Sequence, residues 1–264
     1  LIADAFCERI AQPGERHLIY GGTRAGKSSF IDWQMRAIQE TRPTCMQILV
    51  DSKPRFRAQT ERMPFNPKGR RNAAWRYAHW QKGPVVPGSV LVDIHSARPF
   101  KGLWTHPGEI AIMQSGDSTE WRRMLQLLMF FVKAQIGTRE RHITVDEVLD
   151  FYGRSTWSID SKNDVFYLAA RSGGERNIGE SLGSQRVFGL PILVRNMFSR
   201  VTLFHLTEDK DMKYLNQNGI PDAESPEGNY IYRQWVKEPG GTVSQPFTGT
   251  LDLPDSYLSQ LAAA

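Results

Sequence analysis

Several things are scarce in this chain, and each scarcity excludes a class of protein. Only two cysteines occur among 264 residues, Cys7 and Cys45, and their spacing makes neither a metal site nor a disulfide framework. A reducing compartment, the cytoplasm, is expected. Long apolar runs are missing too. The longest, Leu127 to Val132, is flanked by Arg122, Arg123 and Lys133 and falls far short of the ~20 residues that a spanning helix needs. No signal-peptide pattern, internal repeat or low-complexity segment is present. A chain that opens at Leu1 and closes on Ala262-Ala263-Ala264 is expected to be a trimmed piece of a longer protein. What remains is a 40% hydrophobic chain, enough for the core of one large α/β domain, alone or with an appendage.

Acidic residues are scarce in one place. Between Lys53 and Lys82 stand Lys53, Arg55, Arg57, Arg62, Lys68, Arg70, Arg71, Arg76 and Lys82 against the single acid Glu61. Phe56, Phe65, Trp75, Tyr77 and Trp80 are interleaved. The segment reads either as a solvated loop with aromatics tucked into the core or as a nucleic-acid contact in which cations replace counterions on phosphates. In the second reading Lys53, Arg55, Arg57, Lys68, Arg70 and Arg71 carry the contact. The net charge of +5 agrees with an acidic partner.

The most informative stretch is Gly21-Gly22-Thr23-Arg24-Ala25-Gly26-Lys27-Ser28, followed by Ser29 and preceded by the apolar run His17 to Tyr20. It spells G-x-x-x-x-G-K-[ST], a loop whose glycines let backbone N–H groups approach phosphate. Lys27 would reach the β- and γ-phosphates of ATP, and the Ser28 hydroxyl would hold Mg²⁺. An amphipathic stretch with Phe30, Ile31, Met35 and Ile38 follows, so phosphate would meet a helix N-terminus.

Further strands are expected at Cys45–Asp51, Val90–Ile94, Glu109–Met113, Ile178–Gln185 and Arg200–Leu206. Asp117 with Glu120 three residues on predicts a helix start ahead of the stripe Trp121, Met124, Leu125, Leu128, Phe131 and Val132. Shorter helices are expected over Asp160–Arg171, ended by Gly173-Gly174, at Pro191 through Arg195, and over Asp209–Leu215. Strands alternating with helices predict a mainly parallel sheet flanked by helices. Residues 1–16 read as a lead-in and 17–220 as the core, with 53–88 an irregular basic insertion. Residues 221–264 read as a short β-rich hairpin tail.

Ile143-Thr144-Val145 closes on Asp146-Glu147, at a distance suited to the partner of the phosphate loop. Asp146 would hold Mg²⁺ and Glu147 would polarise the attacking water. A nucleotide switch or small-molecule kinase has no need of that second acid, whereas a hydrolase driving mechanical work does.

From here the chain resembles the HerA–FtsK superfamily of DNA-pumping ATPases. The resemblance rests on Ala170-Arg171-Ser172-Gly173-Gly174-Glu175-Arg176, Gly179 to Arg186 with its Ser184-Gln185 end, Gly189-Leu190-Pro191, Arg195-Asn196, and Arg200 to Leu206. Val50-Asp51-Ser52-Lys53 is similar to the family's second strand, and the likeness covers about residues 17 to 215. It implies a RecA-like P-loop NTPase fold of the ASCE type, with ATP and Mg²⁺ bound between subunits of a homo-oligomeric ring, a pentamer or hexamer. Double-stranded DNA is the implied partner. The size is most similar to viral genome-packaging ATPases, whose further partner is a capsid portal. Another pump of this superfamily, acting in conjugation or segregation, and a filamentous-phage-type assembly ATPase are the alternatives; the last would carry a membrane span. By resemblance Gln185 senses the γ-phosphate, and Arg171 or Arg176 is the finger given to a neighbouring subunit. Arg176 is the favoured one, because it follows two glycines. Arg24 would touch the nucleotide in cis, much as large terminases carry an arginine in this loop.

Overall fold

The computed structural model describes residues 11–53, 55–62, 85–92, 94, 108–134, 139–152, 164–221, 223–237 and 241–251. Lys68, Arg70 and Arg71 of the basic segment lie outside them. Among the described residues ten strands form one sheet in the order β10-β9-β8-β1-β7-β6-β2-β5-β4-β3. The strands are β1 (Arg16–Tyr20), β2 (Met46–Asp51), β3 (Arg57–Arg62), β4 (Val85–Val92), β5 (Ile110–Gln114), β6 (Arg141–Val145), β7 (Ile178–Ser184), β8 (Arg200–Leu203), β9 (Ile231–Val236) and β10 (Phe247–Thr250). All pairings from β8 to β3 are parallel, while β9 and β10 add antiparallel at the other end.

The central strands are buried because both faces of the sheet are covered, and they carry polar residues such as His17, His142 and Glu180 as well as apolar ones. Side chains alternate across a strand. Leu18, Tyr20, Ile48 and Val50 accordingly pack on one face, with α2 (Ser118–Lys133) and α4 (Val165–Arg176). Ile19 and Leu49 pack on the other, with Phe30, Ile31 and Met35 of α1 (Lys27–Thr41). Short helices α3 (Leu149–Tyr152) and α5 (Ile192–Arg195) and the nine-residue α6 (Asp209–Gln217) complete the chain.

Most expected elements stand where the pattern puts them, within a few residues. The Asp117 carboxylate caps α2 by accepting the Thr119 N–H at 2.9 Å. Glu120 does not close the expected reciprocal bond; its carboxylate accepts from the Ser115 hydroxyl instead.

Four expectations are corrected. The helix assigned to Asp160–Arg171 is α4, capped by Asp164 and continuing through both glycines to Arg176. The glycines do not stop it. A Cβ on Gly173 would lie 2.5 Å from the Ile178 carbonyl oxygen, so this glycine allows the helix to lie against the start of β7. The stop is Asn177, in the left-handed region at φ 52°. Second, the segment 53–88 is not irregular throughout, since β3 and the first part of β4 belong to it. The polar sequence of β3 suits an edge strand, and a register shift between Ala58 and Thr60 accommodates Pro87 and Gly88. Third, Pro191 is the cap of α5 rather than its first residue. Fourth, the strand from Arg200 ends at Leu203, after which Phe204 and His205 leave the sheet.

The tail hairpin is β9 and β10, and it extends the core sheet. It is locked there by buried polar contacts. Arg200 donates to Glu15 and Gln234 at 2.9 Å each, and Gln234 and His17 both meet the Thr202 hydroxyl, at 2.8 and 2.7 Å. Among the described residues, no helix is long and apolar enough to cross a membrane.

Candidate nucleotide and catalytic site

The loop Gly21–Gly26 joins β1 to α1 with left-handed turns at Arg24 (φ 66°) and Gly26 (φ 111°). The first helical bond of α1 runs from Phe30 N–H to the Gly26 carbonyl. The N–H groups of Lys27, Ser28 and Ser29 therefore sit ahead of the helical ladder, as donors available to an anion. Behind the loop the chain is tightly packed. Gly22 N–H donates to the His205 carbonyl at 2.8 Å, and Tyr230 N–H to Ala25 at 3.0 Å. A Cβ on Gly21 would stand 2.8 Å from the Cβ of Phe204, so a larger residue would push the loop off its support. Thr23 and Arg24 are exposed; Ala25, Gly26, Lys27 and Ser29 are buried.

The two motifs meet. Lys27 Nζ donates to the Asp146 carbonyl and lies 3.2 Å from Asp146 Oδ1, which also accepts the Ser28 hydroxyl at 2.8 Å. Burial would raise the Asp146 pKa. Lys27, Arg55 and the Ser28 hydroxyl outweigh it and hold this carboxyl below the usual carboxylate range. Glu147 is turned the other way, its carboxylate accepting the Gln185 N–H at 3.1 Å. Burial pushes its carboxyl up, against the pull of Lys27. In the sheet order β7 separates β1 from β6, so Gln185, one residue beyond β7, comes up between the phosphate loop and the two acids.

These residues fit a divalent cation of the Mg²⁺ kind. Asp146 Oδ2 is buried and accepts no hydrogen bond, and the Ser28 hydroxyl is beside the same carboxylate. Among the described residues there is no cluster of three His, Cys, Asp or Glu that would hold a metal without help. One carboxylate and one hydroxyl suit an ion that also takes phosphate oxygens and water.

Two cations assigned to nucleic acid stand here instead. Asp51 closes β2 fully buried, and its carboxylate accepts the N–H groups of Lys53, Arg55 and Phe56 at 3.2, 2.7 and 3.1 Å. Burial and the nearby Asp146 charge raise its pKa. The turn it organises carries Arg55 to 3.0 Å from Asp146 Oδ2 and Lys53 to 3.2 Å from Asp150, which also accepts from Ser52. Both are expected at nucleic acid from the sequence, and in the fold their partners are carboxylates beside the phosphate loop. Arg57, on edge strand β3, is exposed.

The two finger candidates share α4. Arg171 is exposed. Arg176 is the last helical residue, and its guanidinium donates to the Val132 carbonyl at 3.1 Å. The reach expected of Arg176 from the two glycines is not there, because those glycines are helical. Asn177 and Ile178 follow it at the start of β7, about 20 Å along the strand from the phosphate loop at ~3.3 Å per residue.

Sequence reasoning gave no site role to Gly183, the closest approach in the site. A Cβ there would run into the Asp146 carbonyl and lie 2.8 Å from Ile31 Cδ1. Asp150 and the loop supports His205 and Tyr230 were also missed. They meet the site only through tertiary folding, and no local spacing marks them.

Neither a family model nor a curated protein sequence matches the chain. Solved structures do match its fold. The chain is similar to the genome-packaging NTPase B204 of Sulfolobus turreted icosahedral virus 2 in complex with ATP-γS. The TM-score is 0.54 at 14% identity, over 92% of this chain and 100% of that one. The AMPPCP complex gives 0.52 at 15% identity, over 88% and 97%. B204 of Sulfolobus turreted icosahedral virus, described as a DNA-packaging ATPase, gives 0.50 at 13% identity, over 88% and 96%. The fold is that of a P-loop NTPase. At these identities the likeness speaks for the fold, and function has to be argued from the site.

Proposed function

We propose that this chain is an ATP-hydrolysing motor subunit that moves double-stranded DNA, working in a homo-oligomeric ring that packages a viral genome. One observation carries the reading: Glu147, beside the Lys27–Asp146–Ser28 cluster, is held by the backbone of Gln185 rather than by the lysine. A carboxylate not directly bonded to the phosphate-binding cation is suited to take a proton from water. Gln185 at the neighbouring strand end is suited to respond to the γ-phosphate.

In the chemistry that follows, Lys27 and the N–H groups at the start of α1 bind and orient the triphosphate. Ser28 and Asp146 would hold Mg²⁺, which on binding neutralises charge on the phosphates. Glu147 accepts the proton of the attacking water. Both arginines are exposed, but Arg171 has no partner among the described residues whereas Arg176 is tied to Val132, so Arg171 is better suited to reach a neighbouring subunit. Its fork of donors would stabilise charge on the transferring group. Arg24, exposed on the loop, is the candidate for a cis contact. DNA would be gripped through its backbone without base readout, as a motor indifferent to sequence requires. Arg57 with Lys68, Arg70 and Arg71 supplies the cations for that grip. The fold likeness to packaging NTPases favours packaging over the other pumps of the superfamily.

The test separates binding from chemistry. Lys27→Ala should lose ATP binding in a fluorescent-nucleotide titration. Glu147→Gln should keep binding yet turn over at least ~100-fold more slowly, the lower range for losing a general base. Normal turnover in Glu147→Gln would remove that residue from the reaction.

A further inference from the structure

The backbone at Arg55 is fixed, and its side-chain tip rests on Asp146 and Ser28. The Asp51 carboxylate grips its backbone N–H at 2.7 Å and that of Phe56 at 3.1 Å, and the Phe56 ring is buried in the core. The Arg55 side chain is a third exposed. Its Nη1 lies 3.0 Å from Asp146 Oδ2 and donates to the Ser28 hydroxyl at 3.3 Å. The first contact is an ion pair without hydrogen-bond alignment, since Oδ2 accepts no hydrogen bond. The guanidinium therefore sits as a loosely held charge on the two groups best suited to a divalent cation. A guanidinium and a divalent cation repel one another, so each weakens the other's hold on that carboxylate oxygen.

We propose that Arg55 is a cis-acting counter-charge for the metal seat: it covers Asp146 and Ser28 in the nucleotide-free protein and yields them to Mg²⁺ when ATP binds, its guanidinium turning to phosphate oxygens. This rests on the nucleotide-site reading above. The planar donors of arginine suit phosphate as well as carboxylate, so the side chain exchanges one oxyanion partner for another. The backbone need not move, because Asp51 holds the turn in both states. Arg55 thus links arrival of the triphosphate to completion of the metal seat.

The experiment uses the whole chain. Mn²⁺ binding without nucleotide is followed by the free-Mn²⁺ electron paramagnetic resonance signal, for the wild type, Arg55→Ala and Arg55→Lys. Removing the competing charge should tighten Mn²⁺ binding about tenfold in Arg55→Ala, the factor that one ion pair of this kind makes. Arg55→Lys, which keeps the charge, should stay near the wild type. In EDTA, Arg55→Ala should bind a fluorescent ATP analogue about tenfold more weakly than the wild type, with a smaller loss for the ADP analogue. An unchanged Mn²⁺ affinity in Arg55→Ala overturns the inference, as does an unchanged affinity for the ATP analogue. Lys27→Ala, run alongside, keeps the two readings apart. If it binds nucleotide normally, the nucleotide-site assignment fails; if it does not, while Arg55→Ala matches the wild type, only the role of Arg55 fails.

Discussion

Gly183 illustrates how little room there is beside Asp146. Its missing side chain lets β7, the end of β6 and α1 meet, and Val148 N–H donates to its carbonyl at 2.8 Å. A methyl group there meets the backbone carbonyls of Asp146 and Val145, which cannot swing away as the Ile31 side chain can. Gly183→Ala should cost roughly 1–3 kcal/mol of stability, the usual range for overpacking, and weaken ATP binding by moving Asp146. Urea unfolding and nucleotide titration check both effects, and an unchanged unfolding midpoint would mean that the strands relax freely. Lys27, Ser28, Asp146 and Glu147 were legible in the sequence as two motifs expected to meet, and the structure brings them together. Gly183 was not, since its role is to leave space between segments far apart in the chain. Arg55 was legible only as a cation; its partner is 91 positions away and nothing local points to it.

At the level of elements, apolar runs closed by a polar residue identified the central strands, because burial on both faces imposes that pattern. The edge strand β3 escaped, as one flank faces away from the sheet and its residues need not be apolar. The end of α4 was misread because a helical glycine and a terminating glycine look alike until the partner that Gly173 touches is known. Within β7 lies an element with a built-in pH dependence. Glu180 is fully buried, both carboxylate oxygens lack a hydrogen-bond partner among the described residues, and burial, with Asp164 nearby, raises its pKa well above 4.5. A raised folded-state value means that its contribution to stability is complete below the unfolded value and is lost as pH rises through the folded one. Glu180→Gln should therefore raise the melting temperature at about pH 8, with a gain that shrinks toward about pH 4.5. A gain of equal size at both values would show that the carboxyl does not titrate on unfolding.

For the whole molecule, the sheet gathers the phosphate loop, the paired acids and Gln185 at the C-terminal ends of adjacent strands, and the proposed binding and water activation rest on that arrangement. The proposed ring supplies the rest. If Arg171 acts in trans, Arg171→Ala mixed with Lys27→Ala should recover some hydrolysis, since hybrid interfaces would pair an intact loop with an intact finger. No recovery at any ratio, with mixed rings demonstrated by native mass, would confine Arg171 to its own subunit or to structure. In the proposed motor, hydrolysis at Glu147 serves movement on DNA. The most direct measurement is the steady-state ATPase rate with and without double-stranded DNA of unrelated sequences, for the wild type and Glu147→Gln. The account predicts stimulation of the wild type by every sequence and a loss of at least ~100-fold in the variant with or without DNA. A wild-type rate that double-stranded DNA leaves unchanged would contradict it.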